Sequence, residues 1–145
     1  MSLIADKATF QNSLATLPIV TYQAGEAVIV DGSRSGRLLI LSKGTVAIVK
    51  DGTEIAKVAE SGAVFGELSV LLDQPHTADV RALEASQFHV ANAATLLTQN
   101  PIAVLYIATM LARRLDGANQ ALIQLKNQLS TGEPQSGYIG SQFAF

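Results

Sequence analysis

The sequence has no cysteine and no tryptophan among its 145 residues. Disulfides, thiolate metal sites and cysteine nucleophiles are therefore excluded, while the redox compartment stays open. Charge is also sparse. Charged residues make up 15% of the chain, the net charge is -2 and the isoelectric point is near 5.6. That balance excludes a broad basic surface for nucleic acid. Long hydrophobic runs are missing too. The longest, Ile102 to Ala112, is broken only by Thr109 and ends at Arg113-Arg114. It falls short of the roughly 20 residues that span a bilayer. No membrane insertion is expected, and the run reads as a fully buried helix of a soluble, cytoplasmic protein. The N-terminus lacks a basic start followed by an apolar run, so no signal peptide is expected. The Met1-Ser2-Leu3 start is compatible with a piece cut from a longer protein.

What is present is an apolar chain (48%) with eleven glycines, seven of which lie between Gly25 and Gly66. This composition belongs to a globular domain and not to a disordered one. Over residues 19–91 the apolar runs are short, rich in Val and Ile, and bounded by Gly. They are 19–22, 27–30, 37–41, 45–49, 54–58, 76–82 and 86–90. Seven short strands with regular turns predict an antiparallel sandwich, jelly roll or barrel. Lys50-Asp51-Gly52-Thr53 predicts a two-residue hairpin turn, because Asp-Gly tolerates positive φ.

Helices flank the strands. Residues 4–17 read as a helix with Ile4, Ala8, Leu14 and Leu17 near one stripe, stopped by Pro18. Asn92 is placed to cap a short helix through Thr98, and Pro101 to open a long one reaching about Leu129. In that helix Val104, Ala108, Leu111, Leu115, Ala118, Leu122, Leu125 and Leu129 alternate gaps of four and three, a heptad seam. The first half is expected to pack on the chain's own body. The second half carries a narrow stripe among polar residues and suits a partner helix. A homodimer through 104–129 is therefore expected. Residues 130–145 read as a tail whose Phe143 and Phe145 are unusual for a free end. Nothing resembling a recognition helix follows Leu129, so DNA binding by this chain is not expected.

The chemistry concentrates in Ala63 to Val80. Gly66 opens a short predicted helix, Glu67 to Leu72, and lets a ligand approach the backbone closely. Free N–H groups of a first helical turn hold anions. Glu67 sits at the same start. With a phosphate on the amides, its carboxylate must turn toward a donor such as a sugar hydroxyl. An anion site beside a hydroxyl-reading acid outlines a nucleotide site. No nucleophile–base pair appears, and His76 and His89 have no carboxylate at metal-ligand spacing, so neither an enzyme nor a metal centre nor a cofactor is expected.

Phe65-Gly66-Glu67-Leu68-Ser69-Val70-Leu71-Leu72, then Asp73-Gln74, then Pro75-His76-Thr77-Ala78 resembles the phosphate-binding cassette of the cyclic nucleotide-binding domain family. The likeness runs from about Tyr22 to Ala121 and takes in Leu111-Ala112-Arg113-Arg114-Leu115. It implies a mainly β fold (α+β), a jelly-roll β-roll of about eight strands with an N-terminal helix and a long C-terminal helix, over residues 1–129. It implies that the backbone of Gly66 to Ser69 meets a cyclic phosphate, with Phe65 and Leu68 in the same cassette. Glu67 would accept from the ribose 2′-hydroxyl, and Thr77 and Ala78 would line the phosphate and purine side. The last helix would cover the base with Arg114, Ala118 and Asn119. The ligand implied is cyclic AMP, ahead of cyclic GMP.

One position departs from the family pattern. The cassette arginine that neutralises the phosphate is His76 here. Alternation puts His76, Ala78, Val80 and Ala82 on the inward face and Thr77, Asp79, Arg81 and Leu83 on the other. Arg81 therefore points away, and Arg114 is the expected partial substitute. Imidazole lacks the five-donor fork of arginine and is mostly neutral at pH 7. Weak binding that tightens below pH 7 is expected. The alternative is a degenerate domain used for dimerisation or partner docking. A haem or other ligand in the same pocket is a weaker third reading. His89, on the outward parity, is expected to be solvated.

Overall fold

The computed structural model describes residues 6–131. Eight antiparallel strands form two four-stranded sheets. The elements in chain order are α1 (Lys7–Ser13), β1 (Ile19–Tyr22), β2 (Ala27–Ile29), β3 (Arg37–Lys43), β4 (Val46–Lys50), β5 (Thr53–Val58), β6 (Val64–Phe65), α2 (Glu67–Leu72), β7 (Asp79–Ala82), β8 (Ser86–Asn92), α3 (Ala93–Gln99) and α4 (Pro101–Thr131). One sheet runs β1-β8-β3-β6 and the other β2-β7-β4-β5. The β4–β5 turn is the hairpin expected from Asp-Gly: Asp51 and Gly52 have φ of 49° and 77°, and Lys50 pairs Thr53.

Strand β3 of the first sheet is buried on both faces, which explains its unbroken run Leu38-Leu39-Ile40-Leu41. Leu39 and Leu41, with Phe65 and Phe88, face the second sheet and meet Val46, Ile48, Ala78 and Val80 inside the roll. Leu38 and Ile40, with Val64 and Ala91, face the helices and meet Phe10, Leu14, Leu96, Ala103 and Ile107. The helices lock to one another and to the turn ahead of β6. Phe10 stacks on Tyr106 at 3.9 Å. Gln11 donates to Ser61 at 2.7 Å, and the Tyr106 hydroxyl reaches the Gly62 carbonyl at 3.4 Å. Asn100 caps α4 by accepting from the Ala103 amide, and Asn92 caps α3 by accepting from the Thr95 amide.

Several expectations need correction. The first helix is shorter than 4–17: it begins after its cap Asp6 and ends at Ser13, with Leu14 still buried beyond it. Ile4 lies outside the described residues, as do Phe143 and Phe145. The two-residue strand β6 escaped the sequence because it is too short to show periodicity. The segment 76–82 is a strand only from Asp79. The run 102–112 is not fully buried. Ala103 and Ile107 are buried, while Ile102, Val104 and Leu105 are exposed, because α4 lies across the outside of the helix layer with one face to the core. His89 is half-buried rather than solvated. It pairs Ile40 on the helix-facing side of the sheet, and its Nδ1 is sealed from water with no hydrogen-bond partner. Among the described residues no single helix is long and apolar enough to cross a membrane.

Candidate functional site

Gly66 is the hinge of the site. It precedes α2 with φ +93° and ψ -3°, a left-handed conformation natural to glycine. A Cβ built there would lie 2.7 Å from the Arg37 carbonyl oxygen and 3.6 Å from His76 Cε1. The backbone of β3 and the His76 ring therefore close on this glycine, and only a residue without a side chain fits between them.

Glu67 follows directly and is the most unusual group in the chain. Its side chain is 1% exposed, yet it is an acid. Arg114, on α4, donates from Nη1 to Glu67 Oε1 at 2.8 Å and is itself 16% exposed. Burial of a carboxylate is tolerable because the guanidinium sits on it. The long helix is thus pinned to the start of α2. The cation expected to help at the phosphate is instead held on the acid expected to read the ribose. A cavity of about 330 Å³, lined by Lys57, Glu60, Tyr106, Met110, Arg113 and Arg114, opens beside this contact.

His76 is buried, in line with its inward parity. Burial alternates along 76–82 as expected, with His76, Ala78, Val80 and Ala82 buried and Arg81 exposed and paired with Asp79 at 3.5 Å. The β2–β3 loop wraps around His76. Its N–H donates to the Ser33 carbonyl and its carbonyl accepts from the Gly32 N–H, both at 2.8 Å. Its Nε2 lies 3.4 Å from Ser35 Oγ, which also accepts the Arg37 N–H at 3.2 Å. Desolvation lowers the His76 pKa below its usual value near 6.5. The ligand-free ring is neutral at pH 7.

The remaining candidates divide. Phe65 is buried in the roll and meets Phe88 edge-on at 6.0 Å. Leu68 is half-buried. The Ser69 hydroxyl donates to the Gln74 carbonyl and closes the loop after α2, so this side chain is already engaged. Ala78 packs in the roll core, and Thr77 is half-buried on the opposite parity. Asn119 is not brought to the others: it is exposed, and five residues from Arg114 amount to about 140° around a helix. Ala118, on Arg114's side of α4, is half-buried.

Sequence reasoning missed Ser33, Ser35 and Arg37. They reach the cassette from about 30 to 43 residues away in the chain, and no local pattern signals that approach. Arg37 opens β3 on the parity of Leu39 and Leu41, which face the roll interior. It is exposed, and its side chain makes no ion pair or hydrogen bond among the described residues. No group of three or more His, Asp or Glu among the described residues is placed to hold a metal ion.

The comparisons agree with this geometry. The cyclic nucleotide-binding domain family matches residues 19–99, more than half of the chain. A cGMP-dependent protein kinase of Toxoplasma gondii is 38% identical over 66 residues, which are 46% of this chain and 6% of the kinase. A cAMP-dependent protein kinase regulatory subunit of Schizosaccharomyces pombe is 31% identical over 77 residues, 53% of this chain and 19% of that protein. The chain thus spans a small part of the curated relatives it matches. Among solved structures, the Thermus thermophilus catabolite activator protein superposes with a TM-score of 0.68 at 23% identity, covering 83% of this chain and 60% of that one, which is a likeness of fold. The β-roll, the glycine-opened cassette and the family match together establish that this chain belongs to the cyclic nucleotide-binding domain family, as a regulatory rather than catalytic module.

Proposed function

We propose that this domain senses a purine cyclic nucleotide, cyclic AMP ahead of cyclic GMP, in the cytoplasm, and reports its binding through α4. The observation that carries the reading is the buried Glu67–Arg114 pair, which joins the cassette to the long helix. The cyclic phosphate would lie on the Gly66–Ser69 backbone, and the ribose 2′-hydroxyl would donate to Glu67. Because Glu67 already holds Arg114, a hydroxyl arriving there must share or displace the guanidinium. Either change alters what holds α4 in place, so the ligand favours one helix position over another. The readout surface is the outer side of α4, where Leu115, Leu122 and Leu129 are 63, 66 and 77% exposed at heptad spacing. Such a stripe is suited to a second copy of the same helix.

Thermal melting with millimolar cyclic AMP or cyclic GMP, at pH 6 and pH 8, tests the reading. A ligand that binds only the folded state raises the midpoint. A shift with cyclic AMP larger than with cyclic GMP is expected; the reverse order would reassign the base preference. A second reading is supported by the neutral, buried His76 in place of the family arginine. In it, the pocket no longer holds nucleotide and the domain serves dimerisation or docking. Absence of any shift at both pH values would select that reading.

A further inference from the structure

The cassette of this chain carries His76 where the family has arginine, and an arginine, Arg37, opens the strand whose backbone borders the cassette. Arg37 contributes its backbone carbonyl to the wall against Gly66, 2.7 Å from where a Cβ would stand. Its N–H is held by Ser35 Oγ, the same atom that lies 3.4 Å from His76 Nε2. Strand alternation places its side chain on the roll-interior parity, the parity of Ala78 and Val80 that His76 shares in the segment leading into β7. The other cations near the cassette are engaged. Arg114 is on Glu67, Arg34 is on Asp73 at 3.1 Å, and Arg81 is on Asp79. Arg37 alone of these four is exposed with no side-chain partner among the described residues.

We propose that Arg37 is the phosphate-neutralising residue of this domain, supplying from β3 the guanidinium that the family carries in the cassette itself. The inference rests on the cyclic nucleotide reading above and adds its missing charge. Arginine suits the task because its charge is permanent and its planar fork can take two phosphate oxygens at once. His76 then serves as a short neighbour that leaves room for a side chain arriving from the opposite sheet. The ligand class this selects is a cyclic nucleotide whose exocyclic phosphate oxygens face β3. A nucleoside without phosphate gains nothing from Arg37.

The test is calorimetric titration with cyclic AMP and cyclic GMP at pH 8, where His76 is neutral. Arg37→Gln should weaken binding roughly ten- to hundredfold, the usual worth of one charged hydrogen-bonding partner. Arg37→Lys should recover part of the loss, because it restores charge without the fork. Arg81→Gln removes the same charge on the outer face and should change affinity less than about twofold, since a distant exposed charge is screened. Competition by adenosine should be equal in the parent protein and in Arg37→Gln. Melting midpoints of the free variants should match the parent, because Arg37 is exposed. Unaltered affinity in Arg37→Gln, or an equal loss in Arg81→Gln, overturns the assignment while leaving the cyclic nucleotide reading intact. If the parent protein binds neither nucleotide at pH 6 or pH 8, both readings fall.

Discussion

Arg114 on α4 places its Nη1 2.8 Å from Oε1 of Glu67, the first residue of α2, and both side chains are withdrawn from water. A carboxyl group this deep has the guanidinium as its counter-charge, so removing the partner leaves a buried polar group uncompensated. Arg114→Ala should cost about 3 to 5 kcal/mol. For a domain of this size each kcal/mol is worth roughly 2 to 4 °C of melting midpoint. The paired variant Glu67→Gln with Arg114→Met should lose less than Arg114→Ala alone, because no charge is left behind. Calorimetric melting of the three proteins checks this. A double variant as unstable as the single one would show that the pair matters through packing and not through charge.

His76 couples proton uptake to folding and binding in opposite directions. Its lowered pKa, caused by burial, means that the free fold prefers the neutral ring. The stability this confers is present above about pH 6.5 and is lost as the pH falls through the depressed folded value. A bound phosphate prefers the charged ring, so nucleotide affinity rises across the same interval. Titration at pH 6 and pH 8 should show tighter binding at pH 6, while the free protein melts lower there. Identical affinities would remove His76 from the site. His76→Arg should make binding tighter at pH 8 and flatten its pH dependence.

Gly66→Ala probes the cradle. The alanine would need a left-handed φ, at a cost of order 1–3 kcal/mol. Its methyl would also meet the Arg37 carbonyl at 2.7 Å, so the β3–α2 junction must open. Reduced stability together with undetectable nucleotide binding is the expected pair of results. Retention of binding in a folded Gly66→Ala protein would move the phosphate away from this backbone.

The exposed leucines of α4 set up a test of assembly. With a monomer mass of 15.3 kDa, sedimentation equilibrium should report about twice that for the parent chain. Leu115→Glu with Leu122→Glu places charges in the seam and should return the mass to that of a monomer without lowering the melting midpoint of the β-roll. A monomeric parent would assign the stripe to something other than self-association.

Much of the fold was legible because it is written in local patterns. The Asp-Gly turn, the Asn92 cap, Pro101 at a helix start and the span of α2 each depend on residues within a few positions of one another. Parity also placed His76 and Arg81 on their correct sides. The losses came where distance in the chain becomes proximity in space. Ser35 and Arg37 approach His76 and Gly66 only because β3 lies beside β6 and its preceding loop wraps the cassette. His89 read as outward, which was true of the roll interior, but the outer face of that sheet is itself covered by helices. Arg114 and Glu67 were both expected at the site, but their pairing was not, since either a phosphate or an acid would satisfy a guanidinium.

The two-sided burial of β3 carries a mechanical meaning. Leu39 and Leu41 belong to the packed core inside the roll, and Leu38 and Ile40 belong to the layer under α1 and α4. One strand thickness is therefore the whole partition between the packed core of the roll and the layer that positions the helices. Interiors this dense do not absorb displacement; they pass it on. A push against Leu39 from within the roll has no solvent side on which to relax, so it arrives at Phe10 and Ile107 as a shift of the helix layer.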